Sequence, residues 1–220
     1  QQEAEQLERE ISQLRTGDHD ASYEAEAPEA ARLRRLLRAE LGLSAEQVPF
    51  LCTTLQIPDE SWQDAVEGVL GNYRFSLLVP PEHYDEAMRL YRERRHQDNL
   101  HGVGLPDVER ILNRPDLTGS LRGNLAGLSS QVQTQHPGVR AFVDLLLGNV
   151  ALCDTLDELR EHRTAVTREC FLRRNYSTSH MNPRVYRRWF IGERAVPRQI
   201  EQRQARLEEI RAELLTCQDK

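Results

Sequence analysis

Near the start of the chain the apolar residues Ala4, Leu7, Ile11 and Leu14 recur at spacings of three, four and three, with Glu and Gln between them. Near its end Ile200, Leu207, Ile210 and Leu214 keep the same heptad, with Arg203 at the intervening core-type position. This is the a/d rhythm of a coiled-coil strand. Each run is too short to stand as a helix alone in water, so each needs a partner. The two ends are expected to pair antiparallel, as the stump of a longer intramolecular coiled coil with a globular part at its tip. The chain then divides into an outgoing helix (1–16), a first half (27–112), a second half (113–196) and a returning helix (197–220).

Between the heptads the chain repeats itself. The run Ala65-Val-Glu-Gly-Val-Leu-Gly-Asn72 comes back 77 positions later as Phe142-Val-Asp-Leu-Leu-Leu-Gly-Asn149. In both copies an apolar helix carries one acid, Glu67 or Asp144, and stops at Leu-Gly-Asn, where a glycine can take the left-handed conformation that ends a helix. A strand is expected after each, Phe75 to Val79 and Val150 to Cys153, followed by a helix, Pro81 to Arg95 and Thr155 to His162. Two related units predict an α+β fold of two pseudo-symmetric subdomains, small sheets with flanking helices, packed about a local two-fold axis.

The remaining stretches add detail. Thr16 to Glu26 is polar and acidic and reads as a solvated loop. A helix should run from Pro28 through Leu33, Leu36, Leu37 and Leu41 to a stop at Gly42. Pro49 to Ile57 looks like a buried strand, and Leu100 to Leu105 like another. Gly119, Gly123 and Gly127 are spaced by four beside Leu117, Leu121, Leu125 and Leu128. That run fits a helix with a small-residue edge open to a close backbone approach, or an irregular segment, since each glycine weakens a helix by about 1 kcal/mol relative to alanine. His136-Pro137-Gly138 is a turn into the second unit.

Composition narrows the function. No apolar run approaches the roughly 18 residues that cross a bilayer, which predicts a cytoplasmic protein with no membrane partner. The cysteines, Cys52, Cys153, Cys170 and Cys217, form no C-x-x-C pair and read as free thiols, mostly buried. Lys220 is the only lysine, so no Walker A loop is present. The G-x-G at Gly102 and Gly104 has Asp107 where a dinucleotide fingerprint needs its third glycine. No two histidines sit at i, i+4, and Ser177, Ser179 and His180 have no orienting acid nearby in sequence. No catalytic residue, metal site or cofactor is expected. Charge is the stronger signal. Residues 163–198 hold nine arginines against two acids, whereas residues 1–31 hold nine acids against two arginines. The basic stretch is interleaved with Tyr176, Tyr186, Trp189 and Phe190, which suits either a phosphate-binding surface or pairing with the protein's own acids.

The string from His136 to Leu159, with its helix, Gly-Asn, strand and Asp154-Thr-Leu-Asp-Glu158 helix start, resembles the second half of an SMC hinge domain. Trp62 to Tyr91 is similar to the first half, and the flanking heptads complete the pattern. Val48-Pro-Phe-Leu-Cys52, the Trp62-Gln-Asp-Ala-Val-Glu67 run, Leu78-Val-Pro-Pro81 and the segment from Asn175 to Gly192 resemble the SMC-like subunit of bacterial Wadjet and MksB systems, which act on plasmid or chromosomal DNA. The resemblance implies a hinge at the tip of a coiled-coil arm whose ATPase heads lie outside this stretch. It implies a homodimer joined through edge strands, with Val166, Cys170, Leu172 and Tyr176 at the interface. Weak, sequence-independent DNA contact through Arg173, Arg174, Arg184, Arg187 and Arg188 is the leading expectation, and docking of a protein partner such as a topoisomerase or nuclease is the rival. One departure stands out: Ala165-Val-Thr167 is not followed by the glycine-rich stretch of ordinary SMC hinges.

Overall fold

The computed structural model describes residues 2–16, 20–114 and 127–218. Its helices are α1 Gln2–Arg15, α2 Asp20–Glu26, α3 Pro28–Leu41, α4 Gln63–Leu70, α5 Tyr84–Arg94, α6 Val108–Leu112, α7 Pro137–Leu147, α8 Leu156–Glu161, α9 Pro183–Tyr186 and α10 Ala195–Gln218. The strands are β1 Ala151–Cys153, β2 Thr164–Thr167, β3 Phe171–Arg174 and β4 Ser177–His180, in the order β1-β2-β3-β4.

Helices α1 and α10 pack together as the heptads predict, burying Ile11, Leu14, Leu207 and Ile210. Burial of each such side chain contributes about 1.5–3 kcal/mol. The pairing is antiparallel, since Arg203 meets Glu10 while the later Arg206 and Arg211 meet Glu3 and Glu8. Arg203 occupies the core-type position and bonds Glu10 at 2.8 Å.

Thr16 to Glu26 is not simply a solvated loop: α2 takes up its second part. Tyr23 stacks on Phe50 with ring centroids 4.3 Å apart and touches Phe75 and Phe190, so one aromatic side chain draws an acidic segment onto the core. Helix α3 follows prediction: Pro28 opens it, Leu33 and Leu37 are fully buried, and Gly42 closes it at φ 67°, donating to the Arg38 carbonyl.

The expected strand at 49–57 is instead a 3-10 turn, Leu51–Thr54, between single bridges at Phe50 and Gln56. Thr53 and Thr54 hydroxyls bond the carbonyls of Phe50 and Leu51, which favours the turn over a ladder. After α4, Gly71–Phe75 is also a 3-10 helix, and of the strand expected at 75–79 only the Leu77 bridge to Phe50 forms. Leu100 to Leu105 is no strand either; it gives the Leu77 N–H one acceptor, the Gly104 carbonyl, and bends at Gly102 with φ 72°. In the second half β1 forms as expected and pairs parallel to β2, while β3 and β4 make an antiparallel hairpin. The sheet therefore belongs to the second half, and the first half substitutes bridged extended segments.

The glycine stops differ from each other. Gly71 has a positive φ of 51°, but Gly148 stays right-handed at φ −63°, and its N–H bonds the Asp144 carbonyl. A Cβ on Gly127 would lie 2.2 Å from the Gly148 carbonyl oxygen, so the close backbone approach expected of that glycine run occurs at Gly127. Residues 115–126 of the run, with Gly119, Gly123, Leu117, Leu121 and Leu125, lie outside the described residues.

One large core joins the two halves, with Leu33, Leu37, Phe50, Val66, Leu70, Val143, Leu147 and Val166 among its members. A smaller cluster of Ala151, Cys153, Leu159 and Ala165 lies under α8. Cys52, Cys153 and Cys170 are buried free thiols, and burial pushes Cys52 up to about 12. Among the described residues no helix is long and apolar enough to cross a membrane.

Candidate dimer and nucleic-acid interface

Helix α4 carries the acid that the repeat singles out, and it is fully buried. Glu67 Oε1 accepts from the backbone N–H of Phe190 at 2.6 Å and of Ile191 at 2.8 Å, and from Gln63 Nε2 at 3.2 Å. Its Oε2 accepts from Arg74 Nη1 at 2.6 Å. Burial raises the Glu67 carboxyl above its ordinary value, while the Arg74 guanidinium and the two amides oppose that rise. The Arg74 guanidinium packs against both Phe75 and Phe190, 4.9 and 5.3 Å from their centroids, and the two rings meet each other edge-to-face at 4.9 Å.

These contacts belong to a longer pattern along residues 187–191, an irregular segment between α9 and α10 whose backbone is held by side chains. The Arg187 carbonyl accepts from Gln202 Nε2 at 2.9 Å, that of Arg188 from Arg74 Nη1 at 3.2 Å and that of Trp189 from Gln199 Nε2 at 2.6 Å. Glu67 takes the next two N–H groups, and the Ile191 carbonyl accepts from Gln63 Nε2 at 3.0 Å. Trp189 Nε1 donates to Asp64 at 2.6 Å. Gln63, Glu67 and Arg74 come from the first half, Gln199 and Gln202 from the returning helix. The segment is thus bonded on one side to the body and on the other to the arm. Gln199 also receives the Ser22 hydroxyl at 2.7 Å, which brings the outgoing end into the same joint.

The repeat explains why one half has this joint. Asp144 corresponds to Glu67 and Arg140 to Gln63, and Arg140 bonds Asp144 together with the carbonyls of Ser129 and Val132. Arg74 has no counterpart, because the 3-10 turn carrying it makes the first unit three residues longer: Leu51 N–H bonds the Ser76 carbonyl, whereas Leu128 N–H bonds that of Val150. The acid at the repeated position of α4, Glu67, was a signal in the sequence; its partners 123 and 124 positions away were not.

The five predicted DNA-binding arginines do not all gather at one place. Arg184, Arg187 and Arg188 line a surface cavity with Glu26, Pro183 and Gln202, and Arg188 bonds Glu26 at 2.7 Å. Arg173 and Arg174 sit on β3 and do not line it. Arg173 donates to the His162 carbonyl and Thr178 and lies over the Tyr176 ring, and Arg174 reaches the Val69 carbonyl. Elsewhere in the basic segment Arg168, Arg194 and Arg198 pair with Asp154, Glu60 and Glu201.

Of the predicted interface residues, Val166 and Cys170 are enclosed by the chain's own core, so their side chains support the sheet from behind rather than present a surface. Leu172 is half-buried against that core. Tyr176 is 69% exposed at the tip of the β3–β4 hairpin, where Asn175 and Tyr176 both have positive φ, 49° and 66°. Such a turn ordinarily takes glycine at its second position. Strand β4 forms one edge of the sheet and is exposed at all four residues. The opposite edge, at β1, is bridged by Gly127.

A body built on two related units and carried on an antiparallel helix pair defines a hinge borne on a coiled coil. Residues 45–163 match the flexible hinge domain of SMC proteins, and the chain belongs to that family. It is similar in fold to the Pyrococcus furiosus SMC hinge domain, at 19% identity and TM-score 0.52, covering 70% of this chain and 84% of that one. The same hinge with an extended coiled coil matches at 19% identity and TM-score 0.52, over 98% of this chain and 80% of the other. The S. pombe Smc5/6 hinge matches at 14% and 0.52, over 84% and 77%. A comparison with curated protein sequences gives no match.

Proposed function

We propose that this hinge is a homodimerisation module that closes the ring of an SMC-like, DNA-embracing protein of the Wadjet or MksB kind, and that it holds DNA weakly through its basic segment. The observation that carries the reading is the antiparallel packing of α1 and α10, which sets the body at the tip of a two-stranded arm. The open β4 edge, with Tyr176 beside it, is a surface on which strand addition from a second copy would satisfy unpaired backbone groups. The expected result in multi-angle light scattering at tens of micromolar is twice the chain mass; a monomer mass would end the dimer reading.

For DNA, three to five arginines neutralising phosphates would give a log–log salt slope of roughly −3 to −4.5. Charge reversal at Arg184 and Arg187 should flatten that slope and leave the dimer intact. A second reading, docking of a protein partner such as a topoisomerase or nuclease, is favoured by the internal pairing of Arg168, Arg188, Arg194 and Arg198 with the chain's own acids. An unchanged DNA affinity in the charge-reversed variant would select it.

A further inference from the structure

The cavity beside α9 gathers more positive charge than any acid facing it can balance. Arg184, Arg187 and Arg188 all belong to its lining, and among the described residues Glu26 is the one acid there. Arg184 makes no ion pair with a described residue, and Arg188 pairs with Glu26 and also feels the more distant Glu10 carboxylate. The backbone beneath is fixed, because the carbonyls of Arg187 and Arg188 are held by Gln202 and Arg74. The arginines therefore project from a frame that does not need to reorganise when an anion arrives. Glu26 ends α2, just before Pro28 opens α3, so it can withdraw from Arg188 by a change of side-chain rotamer without moving the core.

We propose that this cavity is a seat for a phosphate group and that Glu26 closes it, its carboxylate lying on Arg188 where a phosphate oxygen would bind. A carboxylate and a phosphate oxygen make the same charge-assisted bonds to a guanidinium, so the internal pair is a low-affinity stand-in for the ligand. With Glu26 in place the lining carries a net of two positive charges, and with Glu26 displaced it carries three. The inference rests on the proposal that the basic segment meets DNA and adds a regulation to it: an incoming phosphate has to displace an acid supplied by α2, the segment between the outgoing helix and the body.

The test compares Glu26→Gln with Glu109→Gln, an equal change of charge at an exposed site outside the cavity. Each chain is titrated with a 20-base-pair duplex at several salt concentrations and, separately, with inorganic pyrophosphate. Glu26→Gln should bind the duplex about 3- to 10-fold more tightly at low salt and steepen the salt slope by about 0.9, the release expected for one further phosphate contact. Glu109→Gln should shift affinity by less than 2-fold, on the order of the small effect of a remote surface charge. Tighter binding of both probes, or of the duplex alone, supports the seat with DNA as a source of the phosphate. Tighter binding of pyrophosphate alone supports the seat while the DNA reading fails. Equal behaviour of the two variants toward both probes overturns the inference, whatever the charge-reversed variant does. Thermal melting of Glu26→Gln at the wild-type temperature would establish that the fold is intact.

Discussion

Gln56 and Gln133 exchange both backbone hydrogen bonds, each N–H meeting the other's carbonyl at 2.8 Å, and they lie 77 positions apart. That is the offset of the sequence repeat, so the local two-fold axis runs between these two residues. Gln133→Pro would remove one of the two donors and orphan the Gln56 carbonyl, at a cost of about 1–3 kcal/mol. Urea unfolding should remain a single transition with a lower midpoint. A midpoint equal to that of the wild type would mean that the axial pair does not hold the halves together.

Breaking the buried pair should cost more. Arg74→Met leaves a buried carboxylate without its cation and is expected to destabilise the hinge by roughly 3–5 kcal/mol, with Arg74→Met/Glu67→Gln recovering most of the loss. Burial already raises Glu67 above its ordinary 4.5, and removal of Arg74 raises it further. A raised carboxyl binds more protons folded than unfolded, so its stability contribution is full below the ordinary value and is lost as pH rises through the folded one. The deficit of Arg74→Met should therefore be largest near neutral pH and shrink as the pH falls toward 4.5. Urea midpoints across that range check the sign.

The helices and the repeat were legible because their signals are local and periodic. Ile11, Leu14, Leu207 and Ile210 are buried where the heptads put them. The runs at 49–57 and 75–79 misled because they are apolar without strict alternation, a pattern that a buried 3-10 turn satisfies as well as a strand. The β3–β4 hairpin gave no warning, since Asn175-Tyr176 lacks the glycine that marks such a turn. On its body side the joint at 187–191 depends on partners more than a hundred positions away, and only Glu67, the acid at the repeated position of α4, hinted at it.

Tyr176 holds a conformation that an L residue adopts at a cost of roughly 1–2 kcal/mol, yet its ring is largely exposed. Tyr176→Gly should leave the monomer within about 1 kcal/mol of wild type, as relief of the turn offsets the freer unfolded chain. If the ring serves the second copy, dimer dissociation should become about 10-fold easier or more, as for a central aromatic contact. Sedimentation equilibrium reads the effect, and an unchanged dimer would remove Tyr176 from the interface.

Leu7→Asp together with Leu207→Asp should fray the arm from its distal end. Amide exchange is expected to quicken along α1 and the later part of α10, while Leu33, Leu37 and Val66 in the body stay protected. Equal loss of protection throughout would show that arm and body fold as one unit.

The joint at residues 187–191 also constrains how such hinges can be recombined. A chimaera cut between Tyr186 and Gln199 would separate carbonyls from the glutamines that bond them, although the boundary looks like a plain linker. The transferable cassette has to include Gln199 and Gln202 at one end and Ser22 at the other. An arm grafted beyond those positions inherits its exit angle from the hinge, whichever protein the rest of the arm came from.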